Sequence, residues 1–138
     1  MILLDTNVVS DLCKPEPNTQ IQEWLDDQRP RLITVSSVTI AELAVGLALL
    51  PEGKKKLHLT RLTEALIVRF GRSSLPFDAV AARTFAGVWV SRRRRGRPIE
   101  IFDAQIAAVA IATGSTLATL NTKDFEGIEG LKVVDPGA

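Results

Sequence analysis

Acidic side chains recur where predicted strands end or predicted helices begin. Asp5 follows the short apolar run Ile2–Leu4, and Asp103 opens a small-residue helix that leads to a later strand. In an open α/β sheet, ligands bind in the crevice beyond the carboxyl ends of the strands. Carboxylates that are far apart in the sequence are therefore expected to converge on one crevice. The polar residues with this placement are Asp5, Glu42, Asp103, Asn121 and Asp124.

Clustered carboxylates repel one another and take up protons unless a cation neutralises them. Oxygen ligands suit Mg²⁺ or Mn²⁺, whereas structural Zn²⁺ favours Cys and His. The chain has one cysteine, Cys13, and one histidine, His58, which excludes a zinc site and a Cys–His nucleophile pair. We expect His58 at the surface of a basic helix. A hydrolase built on these carboxylates would attack with metal-bound water, and the metal would stabilise the leaving oxygen of a phosphodiester.

Each acidic residue also has a purely structural interpretation. Aspartate is among the best N-cap residues, so Asp5, Asp103 and Asp124 could each cap a helix. Glu42 follows Thr39 by three residues, which is the spacing of a capping box. Their shared position at one end of the predicted sheet favours a site over a set of unrelated caps.

The net charge of +1 conceals a strong asymmetry. The net charge is −4 over residues 1–51, +9 over residues 52–97 and −4 over residues 98–138. A basic middle next to acidic ends indicates an anionic partner held near the carboxylates. The densest basic run could contact the phosphates of a nucleic acid, contact a protein partner or form a solvated helix end. This run consists of Arg92, Arg93, Arg94, Arg95 and Arg97.

Short apolar strands alternate with amphipathic helices along the chain. Strands are predicted at residues 2–4, 31–35, 116–120 and 131–134, with a weak candidate at 73–75. Helices are predicted from Asn18 through Asp27, from Ser36 or Ser37 to Pro51, over 54–70, from Asp78 into the arginine run, and over 104–113. This alternation predicts a single α/β domain over residues 1–138 with a mostly parallel sheet.

Composition narrows the class of protein further. Hydrophobic residues make up 46% of the 138 residues and charged residues 24%, which indicates an ordered globular chain. A single cysteine excludes an intramolecular disulfide and fits a reducing cytoplasm. The first residues lack a basic segment and reach Asp5 at once, so no secretory signal is expected. The longest apolar stretch, residues 38–50, contains Glu42 and is too short to span a membrane.

Four separated segments carry a family resemblance. They are Met1-Ile-Leu-Leu-Asp5-Thr6-Asn7, Ser37-Val-Thr-Ile-Ala-Glu42, Gly96-Arg97-Pro98-Ile99 with Asp103, and Thr119-Leu-Asn121-Thr122-Lys-Asp124-Phe125. In this order they resemble PIN-domain ribonucleases, most closely the VapC-like toxins of type II toxin–antitoxin pairs. The resemblance covers almost the whole chain and includes the tail Val133-Val134-Asp135-Pro136.

The resemblance implies a three-layer α/β/α fold and cytoplasmic, Mg²⁺-dependent RNA cleavage, with Mn²⁺ as a possible substitute. It assigns the acidic triad to Asp5, Glu42 and Asp103, and leaves the fourth position to Asn121 or Asp124. Two polar residues, Thr6 and Asn121, would orient the ligands or water.

The resemblance also implies the partners. They are an RNA substrate, a small DNA-binding antitoxin that covers the active-site groove, and a second copy of the chain in a homodimer. The sequence departs from the family at Leu120, where arginine is usual, so a basic contact would have to come from Lys123 or Arg97.

Two other functions fit the same residues. A nuclease of this fold could act in RNA processing or on structured DNA without an antitoxin, and a short upstream reading frame would argue for the toxin instead. Alternatively, the chain could be a non-catalytic binding module in which the acidic residues are only helix caps. Metal-dependent cleavage that is lost on Asp5→Asn would exclude this module.

Overall fold

Four short strands form a wholly parallel sheet in the computed structural model, which describes all 138 residues. The spatial order of the strands is β2-β1-β3-β4. In the central strand, Leu4 pairs with Val35 on one side and with Ala118 on the other, so three strands end at the same level. The strands are β1 (Ile2–Leu4), β2 (Ile33–Val35), β3 (Thr116–Ala118) and β4 (Lys132–Val134).

Six helices cover the two faces of the sheet. Successive residues of a strand point to opposite faces, and Leu3 and Leu4 accordingly belong to two separate apolar cores. The core around Leu3 contains α5 and α6, and the core around Leu4 contains α1 and α2. The predicted three-layer α/β/α fold is therefore confirmed. The helices are α1 (Thr6–Leu12), α2 (Thr19–Asp26), α3 (Ser37–Ala48), α4 (Lys54–Gly71), α5 (Ala79–Arg94) and α6 (Ile101–Thr113).

Several element boundaries differ from the sequence prediction; among them, the strand predicted over 116–120 ends at Ala118. The helix predicted over 104–113 begins at Ile101, because Glu100 and not Asp103 provides the N-cap. The strand predicted over 31–35 is shortened by a 3₁₀ turn at Pro30–Leu32. Residues 73–75 form only an isolated bridge between Leu75 and Ser36, since Pro76 follows and cannot donate a ladder hydrogen bond.

The chain's cysteine and histidine occupy different environments. Cys13 is buried, with its Sγ 3.7 Å from Thr63 Oγ1, whereas His58 is exposed on α4 as predicted. None of the helices combines the length and the hydrophobicity that crossing a membrane would require.

Candidate functional site

An open groove of about 460 Å³ lies at the carboxyl ends of the strands and contains all five residues predicted from the sequence. Five acidic side chains line it, and its only basic side chain, Lys14, is paired with Asp11 at 3.0 Å. No other side-chain cation in this groove is available to neutralise the remaining carboxylates. The acidic residues of the groove are Asp5, Asp11, Glu42, Asp103 and Asp124.

Asp5 joins β1 to α1 and is only 4% exposed. Its Oδ1 accepts a 2.8 Å hydrogen bond from the Thr6 amide, and its Oδ2 accepts a 2.8 Å bond from the Thr119 hydroxyl. Burial raises the pKa of Asp5; the bonds from Thr119 and Thr6 oppose this, and the charge of Asp124 adds to it. Asp5 therefore caps α1, as its structural interpretation expected, and also belongs to the acidic groove.

Glu42 lies in the second turn of α3, whose N-cap is Ser36. The Ser36 hydroxyl accepts the Thr39 amide at 3.1 Å, so Thr39 is not a cap and the capping-box interpretation of Glu42 is wrong. Glu42 Oε1 instead accepts a 2.8 Å hydrogen bond from the Thr6 hydroxyl. Burial raises the pKa of Glu42, and the charges of Asp5 and Glu100 reinforce this against the bond from Thr6.

Asp103 is the most strongly perturbed carboxyl group of the groove. It lies in the first turn of α6, and its own amide donates to the cap residue Glu100, with the nitrogen 3.4 Å from Oε2. The cap interpretation of Asp103 is therefore wrong. Burial, and then the charges of neighbouring carboxylates beginning with Asp5 and Glu100, raise its pKa to about 7.

Asn121 and Asp124 belong to one turn, residues 121–126, which we call the Asp124 turn. Asp124 lies inside its 3₁₀ segment and caps nothing, so its cap interpretation is also wrong. The charge of Asp124 raises the pKa of both Asp5 and Asp103, which places its carboxylate within their electrostatic reach. The side chain of Asn121 makes no cap hydrogen bond, and the main-chain N–H of Asn121 donates to Thr119 Oγ1 at 3.1 Å.

Sequence reasoning named Thr6, whose hydroxyl donates to Glu42, but it missed Thr119 and Glu100. Thr119 is fully buried; its hydroxyl donates to Asp5 and accepts from Asn7 Nδ2 at 3.2 Å. The available signal was the position of Thr119 directly after β3, level with Asp5 after β1. Glu100 was also missed, although its charge acts on both Glu42 and Asp103.

The arginine run divides into one buried and four exposed residues. Arg92 is only 6% exposed, because it follows the buried Val88 by four residues on the same face of α5. The guanidinium donates to main-chain carbonyls, so the expected RNA phosphate contact of Arg92 is wrong. The other four members, Arg93, Arg94, Arg95 and Arg97, are exposed.

The donor set of the groove fits a hard divalent cation, because every acidic ligand is a carboxylate oxygen and no sulfur or imidazole is present. Burial, and to a smaller extent the charges of neighbouring carboxylates, raises the pKa values of Asp5, Glu42 and Asp103, so a bound cation would favour their charged forms. No three acidic, histidine or cysteine side chains are yet close enough together to hold one ion. Binding would therefore require the carboxylates to draw closer.

The sequence and the fold place this chain in a known family. The model of the PIN domain matches residues 2–131, and the chain belongs to the PIN domain family. One relative is the plasmid stability protein StbB of Pseudomonas syringae, 40% identical over 99% of this chain and 98% of its own. Others are the VapC ribonuclease Y4jK of Sinorhizobium fredii, 38% identical over 99% and 97%, and the toxin FitB of Neisseria gonorrhoeae, 40% identical over 91% of both chains.

Solved structures of the same kind cover nearly the whole chain. FitAcB from Neisseria gonorrhoeae has a TM-score of 0.88 at 38% identity, with 99% of this chain and 98% of that chain covered. DNA-bound VapBC from Salmonella typhimurium has a TM-score of 0.85 at 27% identity, with 98% and 97% covered. A toxin–antitoxin complex from Klebsiella pneumoniae has a TM-score of 0.72 at 28% identity, with 99% and 98% covered.

Proposed function

We propose that this chain is the ribonuclease toxin of a VapBC-like toxin–antitoxin pair and that it cleaves RNA phosphodiesters with Mg²⁺, or with Mn²⁺ in its place. The observation that carries the proposal is the groove itself, in which five carboxylates share one lysine that is already paired. The VapC ribonuclease and the toxin FitB among the relatives support the activity and the biological role.

In this proposal Asp5, Glu42, Asp103 and Asp124 hold the cation. When bound, Mg²⁺ lowers the pKa of water for attack on the phosphorus and stabilises the charge on the leaving oxygen. The Thr119 hydroxyl fixes Asp5, and the Thr6 hydroxyl fixes Glu42, each through a 2.8 Å hydrogen bond. Asp103 is partly protonated near neutral pH, because its pKa is about 7, and it releases its proton when a cation binds.

Of the two candidates for the fourth position, we propose Asp124 as the metal ligand and Asn121 as the orienting polar group. Asp124 acts electrostatically on Asp5 and Asp103, as an additional ligand carboxylate would. Asn121 lines the same groove with a side chain that has no capping role. A neutral amide placed there can orient water or a phosphate without adding to the repulsion between carboxylates.

An apolar trough beside the acidic groove supports the proposal of a protein partner. This trough of about 290 Å³ lies among α1, α3 and α4, and it shares Thr6, Ser10 and Glu42 with the groove. Nearby, Leu49 is 80% exposed and Leu57 52% exposed. We propose that a DNA-binding antitoxin covers the groove from this side, and that the chain acts in the cytoplasm as one domain that pairs with a second copy.

RNA is proposed to be held by Arg93, Arg94, Arg95 and Arg97. Arg97 contacts the Asp124 turn, with its Nη2 3.7 Å from Glu126 Oε2. Arg95 contacts the residue after the turn, since its Nη1 donates to Gly127 O at 2.8 Å. These contacts place two positive charges beside the turn that carries a groove carboxylate. A backbone phosphate next to the scissile bond would meet them.

Replacing Arg93 and Arg94 together by Gln is expected to weaken RNA binding without changing the maximal cleavage rate. Each neutralised phosphate of a single strand contributes about −0.7 to the slope of log K against log salt, so the slope should become shallower by about 1.4. Filter binding across a salt series measures this. The control variant replaces the exposed Arg61 and Arg83 by Gln, which removes the same charge elsewhere on the surface. An unaltered slope in the Arg93 and Arg94 variant would contradict the proposal, and Lys54, Lys55 and Lys56 would then be the candidates for RNA binding.

The function itself is tested by brief induction of this chain alone in a bacterial host, followed by sequencing of RNA ends. New ends at discrete sites are expected with the wild-type chain and not with Asp5→Asn. Asparagine caps a helix nearly as well as aspartate, so this variant keeps the cap of α1, while it loses the charged ligand and the bond that Asp5 Oδ2 accepts from the Thr119 hydroxyl. Identical RNA ends in both cultures would contradict the proposal.

A further inference from the structure

Arg92 is buried in the body of the protein and makes no salt bridge. The chain's three ion pairs are Lys14–Asp11, Lys56–Glu52 and Arg97–Glu126. Arg92 is nevertheless only 6% exposed, and its guanidinium is bonded entirely to main-chain carbonyls. A buried cation without a carboxylate is costly unless several hydrogen bonds compensate it. Its contacts should therefore indicate what the residue does.

Those contacts join the end of α5 to the Asp124 turn. Arg92 Nε donates to Arg97 O at 2.7 Å, and Nη1 donates to Asp124 O at 2.8 Å and to Glu126 O at 3.5 Å. The planar guanidinium reaches these carbonyls in different directions, which the single ammonium of lysine does not. Arg92 thus fixes the main chain at the residue whose side chain lines the groove.

The same turn is anchored on its other side to the acidic site. The Asn121 amide donates to Thr119 Oγ1 at 3.1 Å, and the Thr119 hydroxyl donates to Asp5 Oδ2 at 2.8 Å. Within the turn, the Asp124 amide donates to Asn121 O at 3.0 Å. A continuous chain of hydrogen bonds therefore runs from the buried guanidinium through the turn to Asp5.

We infer that Arg92 is a positioning residue, which holds the Asp124 turn so that the Asp124 carboxylate is presented to the cation of the groove. This inference rests on the proposed function, because it assigns to Asp124 the role of a ligand. Arg92 is thereby assigned to the support of the metal site and not to the RNA-binding surface. Its neighbours Arg93 and Arg94 have no such contacts.

The test measures Mn²⁺ binding by the electron paramagnetic resonance signal of the free ion, with no RNA present. Arg92→Met is expected to weaken Mn²⁺ binding about tenfold, the lower end of what the loss of a supporting contact costs a metal site. Arg92→Lys, a milder change that keeps the charge, is expected to weaken it severalfold. Arg93→Met removes the same charge from an exposed position, and Val88→Ala destabilises the same face of α5; both should keep the wild-type affinity.

A double-mutant cycle with Asp124→Ala separates positioning from general damage to the fold. If Arg92 acts through Asp124, Arg92→Met should change Mn²⁺ affinity less than about twofold when Asp124 is already alanine. In the metal-free protein, Arg92→Met should also speed hydrogen exchange of the Asn121 and Asp124 amides, whereas Arg93→Met should not.

Two results would overturn the inference while leaving the proposed function intact. One is a Mn²⁺ affinity of Arg92→Met within about twofold of wild type, and the other is a loss that is fully additive with that of Asp124→Ala. A wild-type chain that binds no Mn²⁺ at all would instead contradict the proposed function, and with it the metal-positioning role of Arg92.

Discussion

The Asp103→Asn variant is expected to melt at the same temperature in Mg²⁺ as in EDTA, whereas the wild-type chain gains about 10 °C. A ligand at roughly 100 times its Kd stabilises the folded state by about 2.7 kcal/mol, and for a chain of this size 1 kcal/mol shifts Tm by about 3–5 °C. Asparagine removes the charge that the cation needs. Thermal melts of both proteins with and without Mg²⁺ measure the effect.

In EDTA the same variant should melt above the wild-type chain. Burial and then four acidic neighbours raise the pKa of Asp103, so removing its charge relieves a desolvation cost and the repulsion, and Glu100 continues to cap α6. The matched control is Asp78→Asn, because Asp78 is a true cap of α5, with its Oδ1 3.0 Å from the Ala81 amide. This control should keep the full Mg²⁺ gain. A full gain in Asp103→Asn would remove Asp103 from the metal site.

Much of the fold and of the acidic site could be predicted because local signals agree with the tertiary structure. Asn18, Ser36 and Asp78 cap their helices as expected, each by accepting an amide of the first turn. The apolar run before Asp5 is a central strand, and its parallel partners end at the same level. Parallel register alone therefore brings Asp5 close to the residues after β2 and β3.

What the sequence did not reveal depends on contacts between distant segments. Arg92 is the inward-facing member of the arginine run because it meets the main-chain carbonyls of Asp124 and Glu126, which lie far along the chain. Likewise, Glu100 and not Asp103 caps α6, because the helix begins at Ile101. Both residues are acidic and three positions apart, so composition alone could not distinguish the cap from the groove residue.

An acidic residue can be a helix cap and a residue of the groove at the same time. One carboxylate oxygen of Asp5 accepts a hydrogen bond from the Thr6 amide, and the other accepts one from the Thr119 hydroxyl. The capping bond orients the side chain, and the second bond ties it to the strand beside it. A cap at the start of α1 is therefore a way of holding a carboxylate rigidly at the end of the sheet.

Without a divalent cation, the stability of the wild-type chain is expected to fall as the pH rises from about 5 to about 8. The folded-state pKa values of Asp5, Glu42 and Asp103 all lie above their ordinary values. Between the ordinary and the raised pKa, the folded chain holds protons that the unfolded chain has released. Unfolding therefore releases protons, and the free energy of unfolding decreases with pH until it levels off above the Asp103 pKa of about 7.

Urea unfolding at a series of pH values measures this decrease. The Asp103 pKa is raised to about 7, and because Asp103 is half exposed, solvent screening should limit the decrease to about 1–2 kcal/mol. Asp11 does not interfere: burial raises its pKa, but bonds from the Asn18 amide and Lys14 outweigh this, so its contribution is lost only in acid. Asp103→Asn should flatten the profile, and saturating Mg²⁺ should reverse its slope, because the cation binds the deprotonated carboxylates. A metal-free stability that rises steadily over this range would show that the groove carboxylates do not repel one another.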